Sequence, residues 1–172
     1  MSNKEMTAEN CHLTQAEVKI ISFGYKEGPP PLSNMVFDVR FLKNPYWVLE
    51  LRALTGLDEE VKDFVLAQPL ALEFLDSVLV LLGSILPRFE ELEIKEFTLA
   101  FGCTGGQHRS TALAELLASK LTQMFPDHKI CCEHRELKAK MGESLAVPKQ
   151  YKNKESLEPT GLAGEASARE RS

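Results

Sequence analysis

The sequence predicts a single α/β domain: a layered, mostly parallel sheet flanked by helices. Short apolar runs alternate along the chain with longer stretches of helical periodicity, which is the pattern of strand–helix–strand units. A Gly-rich turn, Gly102 to Ser110, joins one of those apolar runs to the next helical stretch, as a strand feeding directly into a helix requires. The 172 residues, 44% apolar and 26% charged, suffice for one domain with a substantial core.

Residues 1–16 are polar and read as a flexible lead with no signal-peptide stretch. Val18 to Gly24 is the first expected strand, halted by Gly28-Pro29-Pro30-Pro31, which cannot continue a ladder. Met35 to Phe41 is the second, its apolar residues nearly continuous as in a sheet covered on both faces. Within it Asp38 and Arg40 lie two apart and so point to one side. Asn44-Pro45 breaks the chain. Gly56-Leu57-Asp58 then opens a helix with Asp58 as N-cap and Glu59, Glu60 and Asp63 near its positive end. After Pro69 a longer helix runs from Leu70 to Phe89, with Leu72, Leu75, Leu79, Leu82 and Leu86 at helical spacing. Phe97 to Cys103 is the third strand. The helix after it, from near Thr111, sets Leu113, Leu116, Leu117, Leu121 and Met124 on one face and closes at Pro126-Asp127. Lys129 to Cys132 is the fourth strand, ending at Glu133-His134-Arg135. The domain is therefore expected over 17–140. Residues 141–172, dominated by Lys, Glu, Gly, Ser and Ala, read as a disordered tail.

Composition narrows the function classes. Net charge is −5, and the domain itself carries 14 Lys/Arg against 18 Asp/Glu, so bulk electrostatics does not gather nucleic acid. Any RNA contact needs a local basic patch. Cys11, Cys103, Cys131 and Cys132 show no Cys-x2-Cys spacing, and the apolar stretches look shorter than the ~20 residues of a membrane span. These features predict a cytoplasmic protein in a reducing compartment, with no membrane partner.

The chemistry concentrates in Gly102-Cys103-Thr104-Gly105-Gly106-Gln107-His108-Arg109-Ser110. A Gly-rich strand-to-helix turn brings backbone N–H groups to a positive helix end, and Arg109 adds a planar fork for phosphate oxygens. His108 and Ser110 supply further donors. The bland alternative is a connector whose His and Arg merely solvate a helix start. The spacing Cys-x5-Arg-Ser also fits a cysteine-dependent phosphatase, with Cys103 as nucleophile, Arg109 on the phosphoryl group and Asp38 or Asp127 as acid. Gly102 stands where such enzymes usually have His, and a cysteine that only packs competes with this reading. A P-loop does not fit, because Cys103 occupies the place of its first glycine. Metal binding by Cys103, His108 and His134 lacks a recognised spacing, so neither metal nor cofactor is expected. A second cluster holds Asp38, Arg40, Lys43, Tyr46 and Trp47. Asp38-x-Arg40 is either a buried ion pair or a reader of ligand hydroxyls and charge, and Tyr46 and Trp47 either wall a pocket or anchor the loop. His134-Arg135 falls at the same sheet edge if its strand is parallel to the others. His12 and His128 look like ordinary surface residues.

Five blocks in order, Ser22 to Lys26, Phe37 to Leu42 with Asn44-Pro45, Leu54 to Asp58, Gly102 to Ser110 and His134-Arg135, resemble the C-terminal domain of the RapZ (YvcJ-type) family. The likeness runs from about Val18 to Lys138. It implies an α/β fold shaped like a phosphofructokinase subdomain and a non-enzymatic sensor or adapter that binds a sugar phosphate such as glucosamine-6-phosphate. Small RNAs and a protein partner are further ligands that it implies. By the same resemblance Asp38, Arg40, Cys103, Thr104, Gly105, His108 and Arg109 line the pocket, to which the residue reading adds Tyr46, Gly106 and Ser110. Full-length members carry an N-terminal kinase-like domain with Walker motifs, and this chain has only the residues before Val18 there. Nucleotide hydrolysis and tetrameric assembly are therefore not expected of it. Tyr46 stands where the best-known RNA adapter has His.

Overall fold

The computed structural model of the chain describes residues 17–137 and 149–151. Its elements are β1 (Glu17–Gly24), β2 (Met35–Asp38), α1 (Glu59–Leu66), α2 (Pro69–Glu91), β3 (Glu96–Cys103), α3 (Arg109–Met124), β4 (Lys129–His134) and β5 (Lys149–Tyr151). Single 3-10 turns at Tyr25–Glu27 and Pro45–Trp47 follow β1 and β2. The sheet order is β2-β3-β1-β4-β5. Its first four strands are mutually parallel, and β5 is antiparallel to β4. The expected α/β class and mostly parallel sheet are therefore those of the protein.

The register puts Ile20 of β1 opposite both Leu99 of β3 and Cys132 of β4. Because side chains alternate along a strand, Val18, Ile20, Ser22, Phe97, Leu99, Phe101, Ile130, Cys132 and His134 share one face. The helices cover that face. Phe89 and Phe74 of α2 meet Phe97 and Phe101 edge-on, with ring centroids 5.1 and 6.0 Å apart. From α3, Thr111 and Glu115 reach Ser22 and His134. Right-handed crossovers explain the sidedness: β2 to β3 and β3 to β4 both advance in one direction across the sheet, so their helices land together. Each fully buried Leu, Ile or Phe of this layer contributes about 1.5–3 kcal/mol. The opposite face is more polar, with a part-exposed Lys19–Glu133 pair at 3.2 Å.

Several boundaries differ from the sequence expectation. β2 has four residues and alternating burial, because among the described residues it is an edge strand with β3 as its sheet neighbour and its outer face is left open by them. α3 starts at Arg109 rather than near Thr111, and Met124 is exposed while Leu113, Leu117 and Leu121 are buried. α2 reaches 23 residues with a most apolar window of mean hydropathy 1.9, long and apolar enough to cross a membrane by those measures. Its buried face, Ala71, Leu75, Val78, Leu79, Leu82 and Leu86, belongs to the core of the domain. Asp58 does precede α1, but its carboxylate accepts from Thr55 N and Oγ1, at 2.7 and 2.9 Å, instead of from the helix. Lys149–Tyr151 forms β5 within the segment expected to be structureless. The other residues of that segment, the lead over 1–16 and the surface reading of His12 lie outside the described residues. His128 is largely covered, lying against Phe125 and pairing with Glu90 at 3.0 Å.

Candidate functional site

Parallel strands deliver their carboxyl ends to one edge, and ligands of such sheets sit there. Gly24, Asp38 and Cys103 end β1, β2 and β3 at that edge. Beside it opens a cavity of about 890 Å³, lined by both the Gly-rich turn after β3 and the loop after β2. Of the residues expected from sequence, Arg40, Tyr46, Cys103, Thr104, Gly105, His108 and Arg109 line it. Asp38, Gly106 and Ser110 do not.

Each exception has a physical reason. Asp38 faces Arg40, which donates from Nε to both carboxylate oxygens at 2.9 Å and from Nη2 at 2.6 Å. The pair is exposed rather than buried, and the guanidinium holds the Asp38 carboxyl below the usual carboxylate range. Gly106 turns the loop at φ +68°, and a Cβ there would lie 2.5 Å from Glu136 Oε2; it shapes the cradle from behind. Ser110 is buried and donates to Cys103 Sγ at 3.1 Å.

Arg109 is built into the fold as well as the cavity. Nη1 donates to the carbonyls of Arg40 and Leu42 at 3.2 and 2.9 Å, and Nη2 to Thr104 Oγ1 at 3.1 Å. The buried Nε has no hydrogen-bond partner among the described residues. Burial lowers the guanidinium pKa, against the opposing pull of Cys103 and Asp38. His108, the residue before α3, is also buried, and its Nε2 has no hydrogen-bond partner among the described residues. Burial lowers its pKa even though the carbonyls of Leu54, Leu51 and Arg52 favour the charged ring. Cys103 is only 2% exposed.

Lys26, Asn44, Arg52 and Gln107 complete the lining together with Leu42, Trp47 and Ala53. Lys26 lies two residues beyond β1, where its N–H donates to the Thr104 carbonyl at 3.1 Å. Arg52 stacks on Tyr46, 4.9 Å from the ring centroid, and donates to its carbonyl at 3.1 Å. Trp47, 77% exposed, forms the outer wall. Lys26 closes the first of the five blocks of resemblance, just past a strand end, but was not expected in the pocket; Arg52 belongs to no block. Lys26, Arg40, Arg52 and Arg109 thus converge with no carboxylate among the lining residues. That composition suits an anion. His134 and Arg135 follow the same strand ends without lining it. Arg135 donates to the Gly24 and Pro29 carbonyls at 2.9 and 2.7 Å, pinning the proline loop.

Asp127 precedes β4 and so lies at the amino end of the sheet, opposite Cys103. With Asp38 held ionised by Arg40, neither proposed acid is placed to protonate a leaving group in the cavity.

Among curated proteins the chain is 48% identical over 119 residues to a nucleotide-binding protein of Cutibacterium acnes, a match covering 69% of this chain and 40% of that protein. It is also 48% identical over 116 residues to nucleotide-binding proteins of Shewanella baltica and of Shewanella sp. strain ANA-3, covering 67% of this chain and 40% of each relative. The chain therefore spans well under half the length of these relatives. The family model described as the RapZ C-terminal domain matches residues 16–138, which takes in all four parallel strands and the entire cavity. The chain belongs to the RapZ C-terminal domain family.

Proposed function

We propose that this domain binds a small phosphorylated metabolite, an amino-sugar phosphate or a nucleotide, as a non-enzymatic sensor or adapter. One observation carries the reading: four cationic side chains line a single cavity, without a carboxylate, in a chain of net charge −5. The orphaned Nε of Arg109 and Nε2 of His108 support it, because a buried polar atom without a partner is satisfied when a ligand supplies one. The Thr104-Gly105 backbone and Lys26 would take the phosphate, and Trp47 with Tyr46 would cover the sugar or base. The "nucleotide-binding" names of the relatives agree with a phosphorylated ligand.

The cysteine-phosphatase reading has in its favour that Cys103 lines the cavity beside Arg109. Against it stand the burial of Sγ and the absence of a placed acid.

Calorimetry with glucosamine-6-phosphate, free glucosamine and a set of nucleotides separates the two. Saturable binding that requires the phosphate is expected. Lys26→Ala or Arg52→Ala should weaken it roughly 10- to 100-fold, the scale of one charge-assisted hydrogen bond, and Cys103→Ser should leave it within a few-fold. These variants are better probes than Arg109→Ala, which also cuts three ties of the fold. Phosphate release that disappears in Cys103→Ser would establish the phosphatase instead.

A further inference from the structure

Away from the cavity, between the sheet and α3, Glu115, Cys132 and His134 bring a carboxylate oxygen, a sulfur and an imidazole nitrogen within 4.8 Å of one another. The cluster follows from topology. Cys132 and His134 are two apart on β4 and project from the same face, and Glu115 lies one helical turn beyond Thr111 on the α3 surface above them. Glu115 and Cys132 are buried, and the His134 side chain is 12% exposed. None of the three lines the cavity.

The hydrogen bonds around the group leave His134 Nε2 able to ligate. Thr111 Oγ1 donates to the Gly106 carbonyl at 3.0 Å. Ser22 Oγ lies 3.3 Å from Thr111 Oγ1 and 2.8 Å from His134 Nδ1, and a hydroxyl accepts hydrogen from a ring nitrogen as readily as it gives one. In the tautomer with hydrogen on Nδ1, the Nε2 lone pair faces Glu115 Oε1 at 3.1 Å, with Cys132 Sγ at 3.9 Å. In the other tautomer Nε2 donates to Glu115 instead, so a metal ion and an Nε2 hydrogen compete for one place.

We propose that a divalent metal ion, best matched by zinc, is held by Glu115, the Cys132 thiolate and His134 Nε2 as a structural site. The mixed oxygen, sulfur and nitrogen set is the one zinc takes. A dication balances one carboxylate and one thiolate, leaving a neutral buried cluster. Ser22 supplies what a ligating histidine needs, a partner on the other ring nitrogen that fixes tautomer and orientation. Tyr151 of β5 sets its hydroxyl against Glu115 from the sheet edge. The ion would join α3 to β4 directly and, through Ser22 and Thr111, reach the Gly106 carbonyl beneath the Gly-rich loop.

Elemental analysis of the purified chain and a cobalt(II) titration test this. One metal per chain is expected, and cobalt should develop a thiolate-to-metal band in the near ultraviolet. Cys132→Ser should abolish that band, while Cys131→Ser and Cys103→Ser keep it. Ser22→Ala should weaken zinc about 10- to 100-fold, the usual effect of removing a partner behind a ligand. Circular dichroism checks that each variant folds. Should Cys132→Ser unfold, the cadmium-113 shift of the wild-type chain decides whether one sulfur is coordinated. Folded wild-type protein that takes up no zinc at micromolar concentration overturns the proposal, as does a cobalt band that survives Cys132→Ser. A His134 imidazole that keeps hydrogen on Nε2 by nitrogen-15 NMR in zinc-loaded buffer, whether neutral or doubly protonated, would overturn it equally.

Discussion

Arg109 and His108 are neighbours at the start of α3, and burial acts on them in different ways. Arg109 keeps its charge close to three acceptors that it ties together, so its loss would leave two loop carbonyls and a hydroxyl without their donor. His108 has no such compensation at Nε2. Its pKa is lowered from an ordinary 6.5, chiefly by burial, so the unfolded chain binds a proton more readily than the folded one does. The sign follows from linkage: stability is unaffected above about pH 6.5 and falls as the pH drops below it, down to the lowered folded value. Urea titrations at a series of pH values should show this acid-side loss, and His108→Gln should flatten it. A slope that persists unchanged in the variant would assign the proton uptake to another group.

At the scale of elements, the site depends on how closely the loop before α1 approaches the first turn of α3. Gly56 donates to the Gln107 carbonyl at 2.7 Å, and a Cβ at Gly56 would lie 2.3 Å from the His108 carbonyl oxygen and 2.4 Å from the Ala112 nitrogen. Backbone atoms cannot yield as a flexible side chain can. Gly56→Ala is therefore expected to cost about 1–3 kcal/mol, the usual range for overpacking, read as a lower denaturant midpoint with unchanged slope. A variant as stable as the wild type would show that the two segments are free to separate. This contact also marks where sequence reading reaches its limit. The Gly-rich loop is legible because glycines, a cation and a strand-to-helix change fall within nine consecutive residues, Gly102 to Ser110. Arg52 is not legible, and Lys26 only as the end of a block of resemblance, since the crossover of the sheet is what brings both to that loop. The same holds for Glu115 with Cys132 and His134, which share no spacing motif because they meet across a helix–sheet interface. The expected strand Met35 to Phe41 runs past the end of β2 because Val39, in the loop that follows, is buried, and an apolar run alone does not distinguish a loop from a strand.

For the whole molecule, charge and topology pull in separate directions. The four cations of the cavity are set in a chain of net −5, so an opening with a cationic lining stands in an acidic chain. A small anion can enter that opening, but a long polyanion also meets the acidic remainder. Generic single-stranded RNA is accordingly expected to bind more weakly than about 0.1 mM at physiological salt, the weak end of non-specific binding. A gel-shift titration at several salt concentrations measures this. Tight binding with a steep salt slope would instead reveal a basic patch large enough to override the net charge.

The position of β1 has a consequence for biosynthesis. It is the central strand, yet neither of its hydrogen-bonding neighbours follows it directly: Val18 pairs with Phe97 on one side and Ile130 on the other. During translation the apolar face of β1 leaves the ribosome long before either partner exists, and β2 cannot substitute because it pairs only with β3. Sheet formation must therefore wait for α1, α2 and β3 to be synthesised, and closing such distant pairs is slow. In that interval Val18, Ile20 and Phe23 are exposed to any passing hydrophobic surface, so a nascent-chain chaperone would find its natural target in the first strand of the domain.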